Sequence, residues 1–317
     1  MTSRPAARAD VTVLVVAYAH QEHVAACLDS IREQTLLPTR VVIADDRSPD
    51  DTAAAVTEYL AAHPGFAEYA EFVPNRENIG LNPTLNKHLE RVDTTYFTYI
   101  SADDVMLPER IHEHTRMMDE APEAILAYSD AIVIDESGSV IHETSSEEFP
   151  WPDDEETRSR PFVELLSRNW IPAASIFLRT AQLREAGGYR QDLFFEDFEL
   201  LVRLSRDFPF VWTSRALVGV RRLSSSLGST GFVGTSPRFI LALHAALLHY
   251  EGAAPQLESV AAARRWELAK RASRSSMGRR RALGLLWSSR RGASSRFAVL
   301  RHLLGWLIIT VGPRRSR

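Results

Sequence analysis

Short apolar runs alternate with helix-patterned segments over the first third of the chain. Apolar and β-branched residues form the runs VTVLVVA (11–17), RVVIADD (40–46) and YFTYI (96–100), and EHVAACLDSIREQ (22–34) has helical spacing. The same pass gives helical segments at 50–62 and 81–92 and a short apolar run at 69–74. Strands and helices that alternate at this spacing predict a parallel sheet flanked by helices, an α/β fold.

The pattern changes after Pro122. The elements expected there are two strands joined by a Glu-Ser-Gly turn (124–141), an acidic loop (about 143–160), a helix with one apolar face (about 194–208) and a strand that returns to the sheet (210–222). From Ser236 onward the spacing is helical, with breaks near 274–278 and 288–295.

Composition permits a large globular core, since 45% of the 317 residues are apolar. Cys27 is the single cysteine, which excludes disulfides within the chain and suits a reducing compartment. The first ten residues lack the apolar run of a signal peptide, so we expect a cytoplasmic protein.

The net charge of −4 divides into +14 for residues 264–317 and −18 for residues 1–263, which predicts two parts with different environments.

Polar clusters follow the predicted strands at Tyr18–Gln21, Asp45–Ser48 and Asp103–Asp104. In doubly wound sheets, ligands bind at the carboxyl ends of the strands. The first turn, AYAHQEH, contains no glycine, and no Walker A motif or serine-hydrolase elbow is present. The sequence therefore disfavours an NAD enzyme and a P-loop NTPase.

Asp103 and Asp104 end a strand-like run, and two adjacent anions need a positive group or solvent beside them. A hard cation such as Mg²⁺ or Mn²⁺ is held by one or two carboxylates together with substrate phosphates and water, so the pair fits a metal and diphosphate clamp. The alternative is a solvated pair that caps the helix expected at Pro108.

Six segments occur in an order that resembles the inverting, nucleotide-sugar-dependent glycosyltransferases of family 2. They are VTVLVVAYAHQEHVAACLDSIREQT, RVVIADDRSPDDT, NRENIGLNPTLNKHLE, YFTYISADDVMLPERI, AGGYRQDLFFEDFELLVRLS and LVGVRRLSSS. The resemblance covers roughly residues 10–228, about two-thirds of the chain.

The resemblance implies a GT-A fold, a Rossmann-like mixed sheet flanked by helices, over residues 1–235. The donor half would span about 10–120 and the acceptor half about 121–235. Residues 236–317 would form a helical, basic C-terminal extension.

The resemblance also implies donor-binding positions in the first half of the chain. Ala17 and Tyr18 would border the base and ribose, and Asp45 or Asp46 would accept a hydrogen bond from the N3–H of the base. Asp103 would face the ribose.

Asp104 would bind the divalent metal, Mg²⁺ or Mn²⁺, that bridges the donor diphosphate. Arg76 and Asn78 would approach the nucleotide from a third loop.

The segment FED (195–197) matches the family's catalytic acid pair. An inverting transfer needs a base that takes the proton of the acceptor hydroxyl, and the resemblance implies Asp197 for that role, with Glu196 shaping the acceptor site. The alternative is that both acids begin a helix, where the helix dipole favours anions.

The chain departs from the family pattern at several positions. Ser101 replaces the first acid of the D-x-D-D form, and Leu223 replaces a histidine that can reach the metal or diphosphate. Arg221 and Arg222 could instead neutralise phosphate directly, which puts strict metal dependence in doubt. The Gln-x-x-Arg-Trp pattern of processive synthases is lacking, which favours the addition of one sugar per encounter.

The basic tail ends in RFAVLRHLLGWLIITVG (296–312), whose apolar residues have helical spacing. Its uninterrupted apolar stretch, Leu303 to Val311, is shorter than the roughly 20 residues of a spanning helix. We expect C-terminal helices that lie on the inner face of the cell membrane. The alternative is docking on the acidic part of the chain or on a second subunit, as a homo-oligomer. No nucleic-acid-binding motif is present.

The expected function is transfer of a sugar from a UDP- or dTDP-sugar to a glycan or polyprenyl-linked acceptor in surface polysaccharide or glycolipid synthesis. A sugar-nucleotide pyrophosphorylase is disfavoured because the first loop lacks glycine. The second hypothesis is a membrane-bound scaffold with a degenerate donor site. It is suggested by Ser101, by Leu223 and by Ala19, which ends Val-Ala-Tyr-Ala (16–19) where the family usually has Pro-Thr-Tyr-Asn.

Overall fold

The computed structural model describes residues 8–223, 233–295 and 299–300. Within these residues, nine strands form one mixed sheet in the order β3-β2-β1-β4-β8-β6-β9-β5, with β7 paired to β6. The strands are β1 (Arg8–Ala17), β2 (Leu37–Asp45), β3 (Ala70–Phe72), β4 (Tyr96–Ser101), β5 (Val105–Met106), β6 (Leu126–Ile134), β7 (Val140–His142), β8 (Phe177–Arg179) and β9 (Phe210–Arg221).

Nine helices accompany the sheet and three more follow it in the described part of the chain. The first nine are α1 (Val24–Arg32), α2 (Thr52–Ala62), α3 (Pro64–Ala67), α4 (Leu81–Leu89), α5 (Arg110–Glu120), α6 (Glu155–Ser159), α7 (Phe162–Leu165), α8 (Thr180–Glu185) and α9 (Asp197–Ser205). The last three are α10 (Pro237–Leu248), α11 (Pro255–Arg274) and α12 (Arg279–Ser288).

The parallel strands β3, β2, β1 and β4 confirm the α/β pattern of the first third of the chain. Their apolar runs are buried on both faces because helices cover the sheet on each side. Val13, Val15 and Ile43 of this region are fully buried together with Cys27 and Leu28 of α1. The free thiol therefore belongs to the core.

The second half of the sheet is mixed. β8 runs antiparallel to β4 and β6, and β6 runs parallel to β9. The expected hairpin after Pro122 is confirmed as β6 and β7, joined by a turn in which Gly138 has φ +90°. The expected return strand is confirmed as β9, which pairs with β5 directly after the Asp103–Asp104 pair.

The chain divides into two compact units, Met1–Ser226 and Leu227–Arg317. In the second unit, Trp266 and Ala269 of α11 pack with Leu286 of α12. The predicted breaks between helices are confirmed at residues 275–278 and after α12. In the described part of the chain, no helix combines the length and apolarity needed to cross a bilayer. The proposed interfacial segment at 296–312 lies almost wholly outside the described residues.

Candidate active site

The carboxyl ends of β1, β2 and β4 lie side by side at one edge of the sheet. Ala17 pairs with Asp45 across β1 and β2, and Val16 pairs with Ser101 across β1 and β4. The backbone N–H of Asp46 then donates to the carbonyl of Ala17 at 2.8 Å. The three polar clusters that follow these strands are therefore brought together, as the sequence predicts.

Asp103 and Asp104 are buried rather than solvated, each with 8% of its surface exposed. Oδ1 of Asp104 accepts a 2.8 Å hydrogen bond from the backbone N–H of Arg221, and Oδ2 of Asp103 lies 3.8 Å from Nε2 of His20. Burial and the charge of Asp103 raise the pKa of Asp104 well above its ordinary value. Among the described residues, Oδ1 of Asp103 has no hydrogen-bond partner. The pair is therefore a buried acidic site that its surroundings satisfy only in part.

The alternative in which this pair caps the next helix is wrong. The helix begins at Arg110, two residues later than the expected start at Pro108, and Glu109 occupies its N-cap position. Neither Asp103 nor Asp104 is part of that cap.

Arg110 supplies a buried positive charge that sequence analysis missed. Its side chain is fully buried, and Nη2 donates to Oγ1 of Thr98 at 2.8 Å. Nε and Nη1 of Arg110 have no hydrogen-bond partner in the described part of the chain. Burial lowers the pKa of Arg110 to about 10, and the charge of Asp104 opposes that shift. In the polar run ERIHEH the residue resembles an exposed helix position, so no sequence signal distinguishes it.

The two arginines at the end of β9 have different partners. The guanidinium of Arg221 donates to the backbone carbonyls of Asp103, Asp135 and Glu136, at 2.8 to 3.0 Å. Its side chain therefore ties the β6–β7 turn to the acidic site. Arg222 is half exposed and forms an ion pair with Glu148. Of the two, Arg222 is the one whose guanidinium can exchange its partner for a ligand at low cost.

Asp45 and Asp46 are both buried, but the structure gives them different surroundings. Asp45 accepts from the backbone N–H and the hydroxyl of Ser48. Asp46 accepts three hydrogen bonds that fix the loop 75–80. The donors are Nδ2 of Asn75 at 2.8 Å, N of Ile79 at 2.9 Å and N of Gly80 at 2.8 Å. Asp46 is thus occupied by its own chain, which leaves Asp45 as the better placed acceptor for a base.

The remaining donor-side residues differ in exposure. The side chain of Ala17 is fully buried and presents no group to a ligand, whereas Tyr18 is 47% exposed. Ala19 has φ +58° and donates its N–H to the hydroxyl of Ser48 at 3.0 Å, so the first turn is held against the second. Arg76 and Asn78 are exposed on the loop that Asp46 fixes.

Glu196 and Asp197 form a second carboxylate pair, half-buried at the start of α9. The hydroxyl of Tyr99 on β4 donates to Oε1 of Glu196, and the N–H of Phe198 donates to Oδ1 of Asp197 at 2.7 Å. Burial and the charge of Asp197 raise the pKa of Glu196 to about 7, and burial raises the pKa of Asp197 to about 6. The helix start explains their position, but a surface cap would not be desolvated in this way.

Tyr99 connects the two carboxylate pairs. It lies on β4, and Asp103 follows it by four residues in the same segment. Four residues of extended chain span at most about 14 Å, which limits the separation of the two backbone positions. The positions of both acid pairs are therefore fixed with respect to the carboxyl end of β4.

Two asparagines of α4 hold the segment that leads into α9, and sequence analysis missed both. Nδ2 of Asn82 donates to the carbonyls of Arg190 and Leu193 at 2.7 and 3.2 Å. Asn86 exchanges two hydrogen bonds with the backbone of Tyr189, at 2.7 and 2.9 Å. Amides on a helix surface carry no such signal in the sequence, because their partners are more than 100 residues away.

The Gly187–Gly188 turn completes this support. Both glycines have positive φ, and a Cβ on Gly188 would lie 2.5 Å from Oδ1 of Asn86. Nη2 of Arg203 donates to the carbonyl of Gly188 at 2.6 Å, and Nε of Arg203 pairs with buried Glu199 at 3.0 Å. These contacts give Gly187, Gly188 and Arg203 a structural role in the segment that leads into α9.

A metal ion at this site would need ligands from outside the protein. Among the described residues, no group of three or more His, Cys, Asp and Glu side chains is placed to hold a cation. The residues that are present fit a hard cation in part, because Oδ1 of Asp103 is buried without a partner next to Asp104. Water and substrate phosphates would supply the remaining ligands.

A cavity of about 280 Å³ adjoins Asp104. Apolar side chains of β6, β9 and the segment 169–174 form most of its wall, and the Glu148–Arg222 ion pair also borders it. Its volume suits one ring-sized group rather than a whole nucleotide sugar.

Sequence comparison gives a match over residues 12–181 to the family model described as glycosyl transferase family 2. The amylovoran biosynthesis glycosyltransferase AmsE of Erwinia amylovora is 27% identical over 184 residues, which cover 58% of this chain and 64% of that protein. The putative glycosyltransferase EpsH of Bacillus subtilis is 26% identical over 116 residues, which cover 37% of this chain and 32% of that protein. The chain thus spans less than two-thirds of the length of these curated relatives.

Solved structures show the same fold. The S. aureus TarS fragment 1–349 in complex with UDP-GlcNAc has a TM-score of 0.61 at 16% identity, covering 94% of this chain and 80% of that one. The mannosyltransferase PcManGT from Pyrobaculum calidifontis, in complex with GDP-Man and Mn²⁺, has a TM-score of 0.59 at 15% identity, covering 96% and 82%. The fold is GT-A, and because the family model matches more than half of its residues, the chain belongs to glycosyl transferase family 2.

Proposed function

We propose that the chain transfers a sugar from a nucleotide sugar to a hydroxyl group of a glycan or polyprenyl-linked acceptor, with inversion at the anomeric carbon. One observation carries the proposal: two desolvated carboxylate pairs, Asp103–Asp104 and Glu196–Asp197, are fixed to the same strand through Tyr99. One pair is suited to a donor diphosphate and the other to proton transfer. UDP-GlcNAc in the TarS complex supports a UDP- or dTDP-sugar as the donor class.

Asp197 is the catalytic base in this proposal. Its carboxylate takes the proton of the acceptor hydroxyl while that oxygen forms a bond to the anomeric carbon of the donor. The bond from this carbon to the diphosphate oxygen breaks on the opposite face, and the nucleoside diphosphate leaves with the electron pair. A pKa of about 6 keeps Asp197 ionised at neutral pH and close enough to that pH to accept a proton readily.

Glu196 has a separate role. Its hydrogen bond from Tyr99 holds it in place, and with a pKa of about 7 it is partly protonated at neutral pH. It therefore shapes the acceptor site beside the base without adding a full second negative charge.

The donor diphosphate lies beside Asp104 at the end of β4, and Asp103 faces the ribose. Mg²⁺ or Mn²⁺, when bound there through Asp104, supplies positive charge to the leaving diphosphate. Asp45 accepts the N3–H of the base, and exposed Tyr18, Arg76 and Asn78 border the nucleotide. Arg222 neutralises phosphate from the other side after it leaves Glu148.

The acceptor class rests on the relatives and on the second unit. AmsE is named for amylovoran biosynthesis, which supports a role in surface polysaccharide assembly. In the second unit, residues 264–295 include ten Lys and Arg residues and one acidic residue. Trp287 is 61% exposed there, with the guanidinium of Arg290 4.4 Å from its ring centroid. An exposed Trp among arginines suits the headgroup region of an anionic membrane, where a lipid-linked acceptor lies.

Donor binding and donor hydrolysis test the catalytic proposal. We expect the protein to bind UDP or dTDP in the presence of Mn²⁺ and to hydrolyse matching nucleotide sugars slowly without an acceptor. Failure of both nucleotides to bind would favour the second hypothesis, a membrane-bound scaffold with a degenerate donor site.

Vesicle co-sedimentation tests the membrane proposal. We expect the full-length chain to bind phosphatidylglycerol vesicles at low salt and to bind less when Trp287→Ser is introduced. Val163→Ser is the matched control, because Val163 is similarly exposed, at 56%, in the first unit. Equal binding to phosphatidylcholine vesicles, or no loss with Trp287→Ser, would contradict this part.

A further inference from the structure

We propose that the cavity beside Asp104 holds the sugar ring of the donor and selects a 6-deoxyhexose. The inference rests on the proposed function and deepens it by naming a substrate class. Asp104 marks the place of the diphosphate, and the sugar is the group joined to that diphosphate. The cavity that Asp104 lines is therefore the space available for the sugar.

The polar groups in the cavity wall are mostly occupied by the protein itself. Nε1 of Trp170 donates to the hydroxyl of Tyr128 at 3.3 Å, and Oγ of Ser145 donates to Oδ1 of Asp130 at 2.6 Å. Oδ1 of Asn169 accepts from the N–H of Ile171 at 3.0 Å. Only Nδ2 of Asn169 is left for a ligand among these groups. A hydroxyl or amide placed against Trp170 or Ser145 would find few partners, and an unpaired buried polar group is costly.

Three side chains of the wall are placed to bind the polar edge of a sugar. They are Asp104, Asn169 through its Nδ2, and Glu148, which Arg222 leaves when it binds phosphate. The rest of the wall, including Val133, Ile171 and Val220, offers only carbon atoms or occupied groups. A sugar with hydroxyls along one edge and a methyl group at C5 matches this division. The hydroxymethyl group of a hexose and the acetamido group of an N-acetylhexosamine do not.

Matched donors measure the selection. We expect UDP-6-deoxyglucose to bind about tenfold more tightly than UDP-glucose by calorimetry, and more tightly than UDP-GlcNAc, with dTDP-linked pairs tested in parallel. Equal affinities for UDP-6-deoxyglucose and UDP-glucose would overturn the selection.

Two variants test whether the cavity is responsible. Ala173→Leu places a larger side chain in the partly exposed wall, so we expect affinity for UDP-6-deoxyglucose to fall to that of UDP while UDP affinity stays within twofold. Val220→Thr replaces a methyl group by a hydroxyl of similar size. The preference for UDP-6-deoxyglucose over UDP-glucose should therefore shrink to about twofold. Val211→Thr, on the same strand but outside the cavity wall, is the control for folding and should keep the preference.

The outcomes separate this inference from the function on which it rests. If neither UDP nor dTDP binds the wild-type protein, the proposed function fails and the inference with it. If nucleotide binds but Ala173→Leu leaves the affinity for UDP-6-deoxyglucose unchanged, the cavity assignment alone is overturned.

Discussion

The tripeptide Ala-Asp-Asp occurs at the ends of the two strands that flank β1, at 44–46 where β2 ends and at 102–104 after β4, with opposite consequences. Asp46 accepts four hydrogen bonds from its own chain, two of them from the backbone at Ile79 and Gly80. In the 102–104 copy, Oδ1 of Asp103 has no partner among the described residues and the pKa of Asp104 is raised by burial. The same tripeptide fixes a loop of the protein in one place and forms an incompletely satisfied site in the other.

The difference comes from what each pair meets. The loop 75–80 turns its amide donors onto Asp46, whereas Asp103 and Asp104 meet the end of β9, which offers one backbone N–H. A carboxylate supplied with several donors by the protein stabilises the fold. A buried carboxylate without them costs stability unless a bound ligand supplies the missing partner.

Substitution in the Glu196–Asp197 pair, which is also desolvated, should reduce activity most. Asp197→Asn should lower the transfer rate by about 10²- to 10⁴-fold, because an amide cannot accept the acceptor's proton, while UDP affinity stays within twofold. Steady-state kinetics and calorimetry measure the two quantities. Asp207→Asn, at an exposed position beyond α9, is the control and should change neither. Near-normal turnover of Asp197→Asn would remove Asp197 from its role.

The pH profile of the wild-type enzyme provides a second test of Asp197. The transfer rate should fall as the pH is lowered through about 6, the raised pKa of Asp197, because the base becomes protonated there. A rate that stays flat down to pH 4.5 would contradict a base with a raised pKa.

Asp46→Ala should be the most damaging of these substitutions for stability. It leaves two backbone donors and the Asn75 amide without their acceptor, and we expect the free energy of unfolding to drop by about 2–4 kcal/mol in urea titrations. Asp51→Ala removes an exposed acid without a side-chain cap bond and should cost under about 0.5 kcal/mol. If both variants lower the free energy of unfolding equally, the hydrogen bonds to Asp46 do not stabilise the fold.

Glu196→Gln should stabilise the protein, but only at high pH. A carboxyl with a raised pKa stabilises the fold when protonated, and this contribution is lost as pH rises through about 7. A glutamine side chain is uncharged at every pH, like the protonated glutamic acid that it replaces. We therefore expect the variant to exceed the wild type by roughly 1–2 kcal/mol at pH 8.5 and to equal it at pH 5, in paired thermal melts. A gain that is independent of pH would show that charge burial is not its cause.

Arg222→Ala should have the smallest effect on stability, since a half-exposed ion pair contributes about 0–1 kcal/mol. Its expected consequence is weaker binding of a nucleotide diphosphate. Unfolding titrations and calorimetry on the same preparation measure both. A large loss of stability with unchanged binding would place Arg222 among the structural residues.

The sequence predicted the elements and the acid pairs because each leaves a local signal. Apolar runs followed by carboxylates mark Asp103–Asp104, and the FED segment marks Glu196–Asp197. The sequence could not separate Asp45 from Asp46, or the two Ala-Asp-Asp copies, because the donors that distinguish them lie about 30 to 117 residues away. Arg110 was missed for a related reason: only packing shows that its guanidinium is buried.

Calorimetric titration of UDP, in the presence of Mn²⁺, into the wild-type protein and into Asp104→Asn shows whether Asp104 holds the donor diphosphate, with Asp46→Asn as the matched control in the other Ala-Asp-Asp copy. We expect the wild type to bind UDP, Asp104→Asn to lose at least about tenfold in affinity while remaining folded, and Asp46→Asn to lose stability but keep its affinity in the folded fraction. Unchanged UDP affinity in Asp104→Asn would show that the buried pair at 103–104 does not hold the donor.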